Sequence, residues 1–335
     1  MYRILIFLFA VNFLNSQEPN DLGYLVYKEV TANVETEPVF AEDDAADDMC
    51  ILENLNSPEK SLIISSDKKY GIIVYDLDGV KLYDYEVGRI NNVDILPSRS
   101  IQNKYIVAGT NRTYNSIDIY LFNSKGKLEN LILRKEIPSL KDVYGVTFYR
   151  DEFNTYLFIS DKKGNVEQWS YNKDEVNSEI KFVRKLKFSS LVEGLVADES
   201  KGKIYIGQER KGIWELNAFP SLDSEKRLIF KKSKNFKPDF EGLALRDDGN
   251  GEGYLIASVQ GSNGYLIIER NSLVAKIFFR IIDGDNIDGT TETDGIDVTS
   301  IKTSKFPNGF FIAQDDNNDG LNQNFKLVDW NKILK

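Results

Sequence analysis

The chain has 335 residues, a formal net charge of −10 at neutral pH, one cysteine and no histidine. Without histidine it cannot form a Ser-His-Asp triad or a histidine-ligated zinc site, and one cysteine cannot form an intrachain disulfide. The acidic balance does not favour nucleic acid or an anionic membrane, and we expect neither partner. Cys50 lies in an apolar, strand-like stretch, which favours a buried small residue over a nucleophile.

The start of the chain has the pattern of a secretory signal peptide. Arg3 precedes an apolar run over residues 4–14, and polar residues follow it. A run of about eleven residues is too short to cross a membrane as a helix. Ser16 suits the last position before cleavage, so we predict a signal peptide at 1–16 and a secreted or periplasmic mature protein. A buried N-terminal strand is the alternative interpretation.

The rest of the chain repeats one strand-turn-strand pattern six times, with a period of about 50 residues. A short strand precedes each hairpin and a further strand usually follows it. The hairpins begin at Leu62, Tyr105, Tyr156, Ile204, Tyr254 and Phe310. Four-stranded repeats of this length are typical of propeller blades.

We therefore predict an all-β fold, with one six-bladed β-propeller of four-stranded antiparallel blades over residues 17–335. Residues 18–40 should supply the strand that closes the ring with the last blade. Two stacked β-domains are the competing architecture, but the regular period and the lack of a Pro/Gly/Ser-rich linker argue against them.

The first strand of each blade of a propeller lines the central channel, so residues at one end of these strands should form a ring. Four of the six repeats place a carboxylate there. The ring residues are Asp47 and Asp48, Asn92, Tyr144, Glu193, Glu241 and Asp294. Asp239 lies two residues before Glu241 and therefore on the same side of the strand.

The turns of the hairpins should form a second ring at the same mouth. In the first three repeats these turns are basic, whereas in the last three they carry acids and amides. The basic residues are Lys68, Lys69, Arg112, Lys162 and Lys163, and the others are Glu209, Gln260, Gln314 and Asp315. Turns that are merely solvated would show no such division.

Clustered carboxylates repel one another, and their burial is costly unless they take up protons or bind a cation. An all-oxygen set of donors suits calcium, and lysines and arginine beside calcium suit a phosphate group that water could attack. The segment 315–320 reads D-x-N-x-D-G, like the start of an EF-hand loop, but the twelfth position is Lys326 instead of glutamate. This segment is either a metal-binding loop or a simple turn.

Seven motifs in order resemble the β-propeller phytases: "DDMCIL", "SDKKYGIIVYDLDG", "VGRINNVDI", "VEGLVADESKGKIYIGQE", "DFEGLAL", "DGTTETDGIDV" and "FIAQDDN". The resemblance extends over about residues 37–331. It implies calcium-dependent hydrolysis of phytate, free or as its calcium complex, with several calcium ions, by a monomer.

Carried over by position, the resemblance implies a role for each matching residue. The calcium ligands around the cleaved phosphate would be Asp47, Glu193, Glu209, Asp239, Glu241 and Asp294, with Gln260 at a further metal position. Asp48 and Asp315 would match structural calcium ligands. The substrate phosphates would contact Lys68, Lys69, Arg112, Tyr144 and Lys162. Catalysis itself would depend on Glu209, Glu193, Asp294 and Lys162.

The sequence departs from the family at Met49–Leu52, where the family usually has Pro-Ala-Ile-Trp, which puts the geometry near Asp48 in question. Two other functions stay open. The chain could be a non-catalytic, calcium-stabilised propeller that binds a partner on one face, since a fold alone does not define a function. It could also be a metal-dependent lactonase-type propeller, but that would not need the basic sector.

Overall fold

The computed structural model describes residues 25–172, 178–220 and 225–335. Over these residues the chain forms six sheets of neighbouring antiparallel strands that follow one another around a ring. The prediction of a six-bladed β-propeller is therefore confirmed. The predicted signal peptide at 1–16 lies outside the described residues. No helix in the described ranges combines the length and the apolar character that a membrane span requires.

Blades 1 to 3 each consist of four consecutive strands, with the first strand at the channel. Two strands precede them, β1 (Val26–Thr31) and β2 (Val34–Glu35). Blade 1 contains β3 (Ala46–Leu52), β4 (Leu62–Asp67), β5 (Gly71–Tyr75) and β6 (Lys81–Tyr85). Blade 2 contains β7 (Ile90–Pro97), β8 (Lys104–Asn111), β9 (Ser116–Asn123) and β10 (Leu128–Glu136). Blade 3 contains β11 (Val143–Arg150), β12 (Thr155–Asp161), β13 (Asn165–Tyr171) and β14 (Ile180–Lys187).

The last three blades follow the same order. Blade 4 contains β15 (Val192–Asp198), β16 (Lys203–Gln208), β17 (Gly212–Asn217) and β18 (Arg227–Lys231). Blade 5 contains β19 (Phe240–Gly249), β20 (Glu252–Val259), β21 (Gly264–Glu269) and β22 (Ala275–Ile282). Blade 6 contains β23 (Ile296–Thr299), β24 (Phe310–Asp315) and β25 (Asn324–Asp329). The helical elements are a short α-helix, α1 (Trp330–Leu334), and the 3₁₀ turns Pro58–Lys60, Glu199–Lys201 and Gln260–Ser262.

The N-terminal segment closes the ring. β2 pairs antiparallel with β25 and completes blade 6, as predicted for residues 18–40. β1 adds a fifth strand to blade 5 by pairing parallel with β22, which the sequence pattern did not indicate. The first described strands of the chain thus hold its last two blades.

The hydrophobic core is divided into six clusters, and each one lies between two neighbouring blades. The middle strands of a blade are therefore covered on both faces, which explains why β4 and β5 are buried at every position. Each blade contributes to two clusters, so the six blades stabilise one another around the whole ring.

Glycines make the closest contacts between neighbouring inner strands. A Cβ atom on Gly194 would lie 1.9 Å from the backbone carbonyl oxygen of Glu241 in the next blade. The same position, directly after the ring residue, is glycine in four consecutive blades: Gly145, Gly194, Gly242 and Gly295. Side chains larger than hydrogen would push the channel-lining strands apart.

We expect Gly194→Ala to lower the free energy of unfolding by about 3 kcal/mol, the upper end of the usual range for overpacking, because the clashing atom belongs to a backbone. Urea unfolding would measure this loss. Gly284→Ala is the matched control, since the nearest atom to its Cβ would lie 3.4 Å away. Equal loss of stability in both variants would contradict the proposed packing role.

Candidate active site

The inner strands of the blades bring their first residues together at one mouth of the channel. In blades 1 to 5 the pairing of this strand shifts register at that end, as in a β-bulge. A bulge re-aims side chains that would otherwise alternate. The Tyr144 hydroxyl accordingly lies in the field of carboxylates from four other blades, which together with burial raises its pKa. These carboxylates are Glu193, Asp47, Glu241 and Asp294.

Asn91 connects carboxylates from different blades. Its side-chain amide donates hydrogen bonds to Asp47 Oδ2 at 2.8 Å and to Glu193 Oε1 at 3.0 Å. The predicted ring residue is the next one, Asn92, whose amide donates to Asp48 Oδ2. Because the strand pairing shifts register between Ile90 and Val93, Asn91 contacts the ring carboxylates and Asn92 contacts Asp48. The signal for Asn91 was the Asn-Asn pair at the start of a strand.

Three buried glutamates form the densest acidic cluster of the described residues. Glu193, Glu209 and Glu241 each place a carboxylate oxygen within 4.8 Å of the other two. All three are less than a tenth exposed. Glu241 Oε2 is buried and has no hydrogen-bond partner. An acceptor left without a donor in such a cluster fits a bound hard cation, because a cation would supply the missing positive charge.

The electrostatics of the ring agree with this interpretation. Burial and the charge of Asp47 raise the pKa of Glu193 well above its usual range, and burial and Glu209 do the same for Glu241. Burial and the neighbouring Asp239 raise the pKa of Glu209 to about 7. Without a cation, these groups hold protons that a metal ion would displace.

Lys68 lies inside the acidic ring. Its ammonium lies 2.5 Å from Asp44, 2.8 Å from Asp47 and 3.2 Å from Asp294. The three carboxylates raise the pKa of Lys68 despite its burial. The predicted basic and acidic sectors therefore meet at this lysine, and its contact with Asp44 was not predicted.

The other predicted phosphate-binding residues divide into two groups. Arg112 donates to Asn91 Oδ1 at 3.2 Å, and its Nε is buried without a hydrogen-bond partner. The ammonium of Lys162 lies over the ring of Tyr144, 4.6 Å from its centroid. Lys69 points outward instead, because its ammonium bonds to the backbone carbonyl of Glu42.

On the opposite side of the mouth, Asp294 is held by amides. Gln260 Nε2 donates to Asp294 Oδ1 at 2.8 Å, and the backbone N–H of Asp294 donates to Gln314 Oε1 at 2.9 Å. Burial and Asp47 raise the pKa of Asp294 to about 7. Asp239 is half-buried and lies close enough to Glu209 to raise its pKa.

Asp48 lies below the ring, in the channel. Its Oδ2 accepts hydrogen bonds from the backbone N–H of Val93 and from Asn92 in the next blade, both at 3.1 Å. Asp94 likewise accepts a hydrogen bond from the backbone N–H of Phe148 in blade 3, and Asp297 accepts one from the backbone N–H of Ile51 in blade 1. Burial raises the pKa of Asp94 to about 6 and that of Asp297 to about 7.

Cys50 lies between these channel acids. It is buried, as predicted. Burial and the neighbouring carboxylates, Asp94 foremost, raise the pKa of its thiol well above the usual range. A thiolate is the nucleophilic form of cysteine, so this residue is unsuited to nucleophilic attack.

Asp315 belongs to a separate cluster at the outer side of blade 6. Its Oδ2 lies 3.5 Å from the ammonium of Lys326, which is fully buried and also contacts Glu35 and Asp288. Three carboxylates thus surround one lysine, so this cluster has an excess of negative charge. Lys326 is the residue that stands where an EF-hand would have its glutamate, and here its ammonium contacts the loop's first aspartate.

The channel mouth of this six-bladed propeller combines a buried carboxylate cluster with a lysine and an arginine beside it. The family model described as Phytase matches residues 5–335. The chain is 40% identical to a 3-phytase of Bacillus subtilis (strain 168) over 327 residues, which cover 91% of this chain and 85% of that protein. The chain belongs to the phytase family and is thus an enzyme, a hydrolase.

Among solved structures, the chain is similar to a functionally unknown protein from Desulfotomaculum acetoxidans DSM 771. The TM-score is 0.50 at 12% identity, and the similarity covers 71% of this chain and 73% of that one. At this identity the likeness concerns the fold alone.

Proposed function

We propose that the protein hydrolyses phytate, inositol hexakisphosphate, to lower inositol phosphates and inorganic phosphate, and that the reaction requires calcium. The observation that carries this proposal is the cluster of Glu193, Glu209 and Glu241, with one buried oxygen that lacks any donor. Membership of the phytase family and the 3-phytase relative support the substrate class.

The donor set of the ring fits calcium, because every donor is an oxygen and the carboxylates outnumber the cations. The residues that would hold calcium beside the reacting phosphate are Asp47, Glu193, Glu209, Asp239, Glu241 and Asp294, with Gln260 beside them. Asp48 and Asp315 would hold structural calcium. Bound calcium supplies neutralisation of phosphate oxygens and lowers the pKa of a coordinated water.

The chain's own cations hold the substrate. Arg112 offers a guanidinium with an unpaired N–H at the mouth, which suits the oxygens of a phosphate. Lys162 lies beside Tyr144, whose raised pKa keeps its hydroxyl protonated and able to donate a hydrogen bond. Both would stabilise the charge that develops on the phosphoryl oxygens as the bond to inositol breaks.

The family resemblance implies that Lys68 contacts a substrate phosphate, but here Lys68 is paired with carboxylates of the ring. Because it bonds to Asp47 and Asp294 at once, it holds these carboxylates in place and reduces their repulsion. It can reach a phosphate only if a cation takes over that task. We propose that Lys68 pairs with the acids in the metal-free ring and turns to the substrate when calcium is bound.

Water is the acceptor of the phosphoryl group in this proposal. The Cys50 thiol is buried and protonated, and a histidine is not present in the chain. The oxygen of water forms the new bond to phosphorus, the bond between phosphorus and the inositol oxygen breaks, and a proton passes to that oxygen.

The direct test is release of inorganic phosphate from phytate by the purified protein, with calcium and with a chelator in excess. We expect release with calcium and a loss of at least about 100-fold with chelator, as for loss of a major electrostatic stabiliser. Full release in chelator would show that the acidic ring does not act through calcium. No release under either condition would favour a non-catalytic binding propeller.

A further inference from the structure

A groove of about 640 Å³ lies on the rim of blade 5, outside the ring of acids. Two of its walls are formed by β1 with β22 and by the loop between blades 4 and 5. A third wall is the 3₁₀ turn Gln260–Ser262. The lining residues that matter here are Lys28, Glu29, Lys234, Lys237, Ser262 and Arg280.

The groove is basic on a protein whose net charge is −10. Four cations and one carboxylate line it. None of the four cations forms a salt bridge within the described parts of the chain: Lys28 bonds to the carbonyl of Ile333, and Arg280 bonds to the carbonyl of Ser262. Lys234 and Lys237 are exposed and their ammonium groups have no partner there. Cations without counter-charges in a concave site attract an anion.

Direct contacts join two walls of the groove. Ser262 Oγ accepts a hydrogen bond from the backbone N–H of Lys237 at 2.8 Å, which joins the loop to the 3₁₀ turn. A Cβ on Gly261 would lie 1.6 Å from the carbonyl oxygen of Pro238, so the 3₁₀ turn and the loop are in direct backbone contact. Phe278 is buried at the base, with Tyr27 edge-on to it at 6.0 Å. A preformed site loses little entropy when it binds a ligand.

Two of the segments that line this groove also carry candidate active-site residues. Gly261 directly follows Gln260, which bonds to Asp294, and Lys237 lies two residues before Asp239. An anion in the groove would therefore lie beside the acidic half of the mouth, on the side away from Arg112 and Lys162.

We propose that this groove is a second binding site, separate from the catalytic mouth, for a soluble polyphosphorylated anion, either a substrate molecule or a partly dephosphorylated product. The choice of ligand rests on the proposed function, whereas the charge of the groove does not. Its volume can hold a compact polyanion, and its four cations can contact several phosphates at once.

The test uses inositol hexasulfate, which carries six anionic groups but no phosphate to hydrolyse. Calorimetric titration of the full chain with calcium should give two sites per molecule. The triple variant Lys234→Gln, Lys237→Gln, Arg280→Gln should retain one site, the one at the mouth. The matched control removes three cations that lie elsewhere on the surface: Lys60→Gln, Lys125→Gln and Arg227→Gln, and it should keep both sites.

Equal stoichiometry and affinity in the triple variant and the wild type would overturn the proposal, whether or not the protein hydrolyses phytate. The single variant Lys234→Gln, whose exposed side chain makes no hydrogen bond or ion pair with the described residues, should weaken the second site by about 3-fold or more without affecting folding. Sedimentation with phosphatidylglycerol vesicles is the other readout. Vesicle binding that the triple variant loses, with hexasulfate binding unchanged, would assign the groove to a membrane surface instead and contradict a soluble ligand.

Phosphate release provides the separate check on the proposed function. A wild type that releases no phosphate, while the triple variant loses one hexasulfate site, would refute the activity and keep the groove as an anion site. Release of phosphate by the wild type, with both hexasulfate sites kept in the triple variant, would support the activity and refute the groove as an anion site.

Discussion

Replacing Glu209 by glutamine should lower kcat for phytate by about 100-fold or more, the usual scale for loss of a major electrostatic group in an active site. Glutamine keeps the size of the side chain and one carbonyl oxygen, but it removes a negative charge from the cluster with Glu193 and Glu241. Phosphate release in saturating calcium measures this effect. The variant should also need a higher calcium concentration for half-maximal activity.

The same substitution should not destabilise the calcium-free protein. Burial and repulsion raise the pKa of Glu209 to about 7, so the charged form costs free energy in the folded state. Removing that charge should leave the melting temperature in chelator unchanged or higher at pH 8. Glu252→Gln, an exposed position at the opposite end of blade 5, is the control and should keep full turnover. If Glu209→Gln also keeps full turnover, the assigned site is wrong.

Removal of calcium should make the stability of the protein depend steeply on pH. The folded-state pKa values of Glu209 and Asp294 are raised to about 7, and burial raises those of Glu193 and Glu241 well above their usual range. A carboxyl whose pKa is raised by folding contributes stability below its unfolded value, near 4, and this contribution is lost as the pH rises through the folded value. We expect the melting temperature in chelator to fall by roughly 5 °C or more between pH 5 and pH 8.

Calcium should reverse this trend, because it binds the deprotonated carboxylates and competes with protons. The increase in melting temperature on adding calcium should therefore be larger at pH 8 than at pH 5. Differential scanning calorimetry at the two pH values, with and without calcium, gives the comparison. An increase that is the same at both would mean that calcium does not bind at the ring carboxylates.

The fold could be predicted from the sequence because a propeller repeats one local pattern, and each copy supports the same interpretation. The hairpins from Leu62 to Phe310 correspond to the middle strands of the six blades. The parallel pairing of β1 with β22 was beyond prediction. That pairing joins residues about 250 positions apart in a chain whose pattern elsewhere is local and antiparallel, so no repeat pointed to it.

The composition of the site was also predictable, but its contacts were not. Glu193, Glu241 and Asp294 could be placed at one mouth of the channel because they occupy equivalent positions in their repeats. The partners of Lys68 and the role of Asn91 depend on β-bulges and side-chain directions, which a one-residue change of register alters. The outward direction of Lys69 was not predicted either, because consecutive residues of one turn point to different sides.

The clasp formed by the N-terminal strands sets an order of events in synthesis. Val34–Glu35 pairs with the strand Asn324–Asp329, so about 290 residues are synthesised between the two partners of this pair. Until that strand is made, Val34–Glu35 lacks its pairing partner, and the core cluster shared by blades 6 and 1 lacks Phe325 and Leu327. The ring therefore closes only after residues 324–329 have been synthesised, whereas blades 1 to 4 can pack in sequence before that.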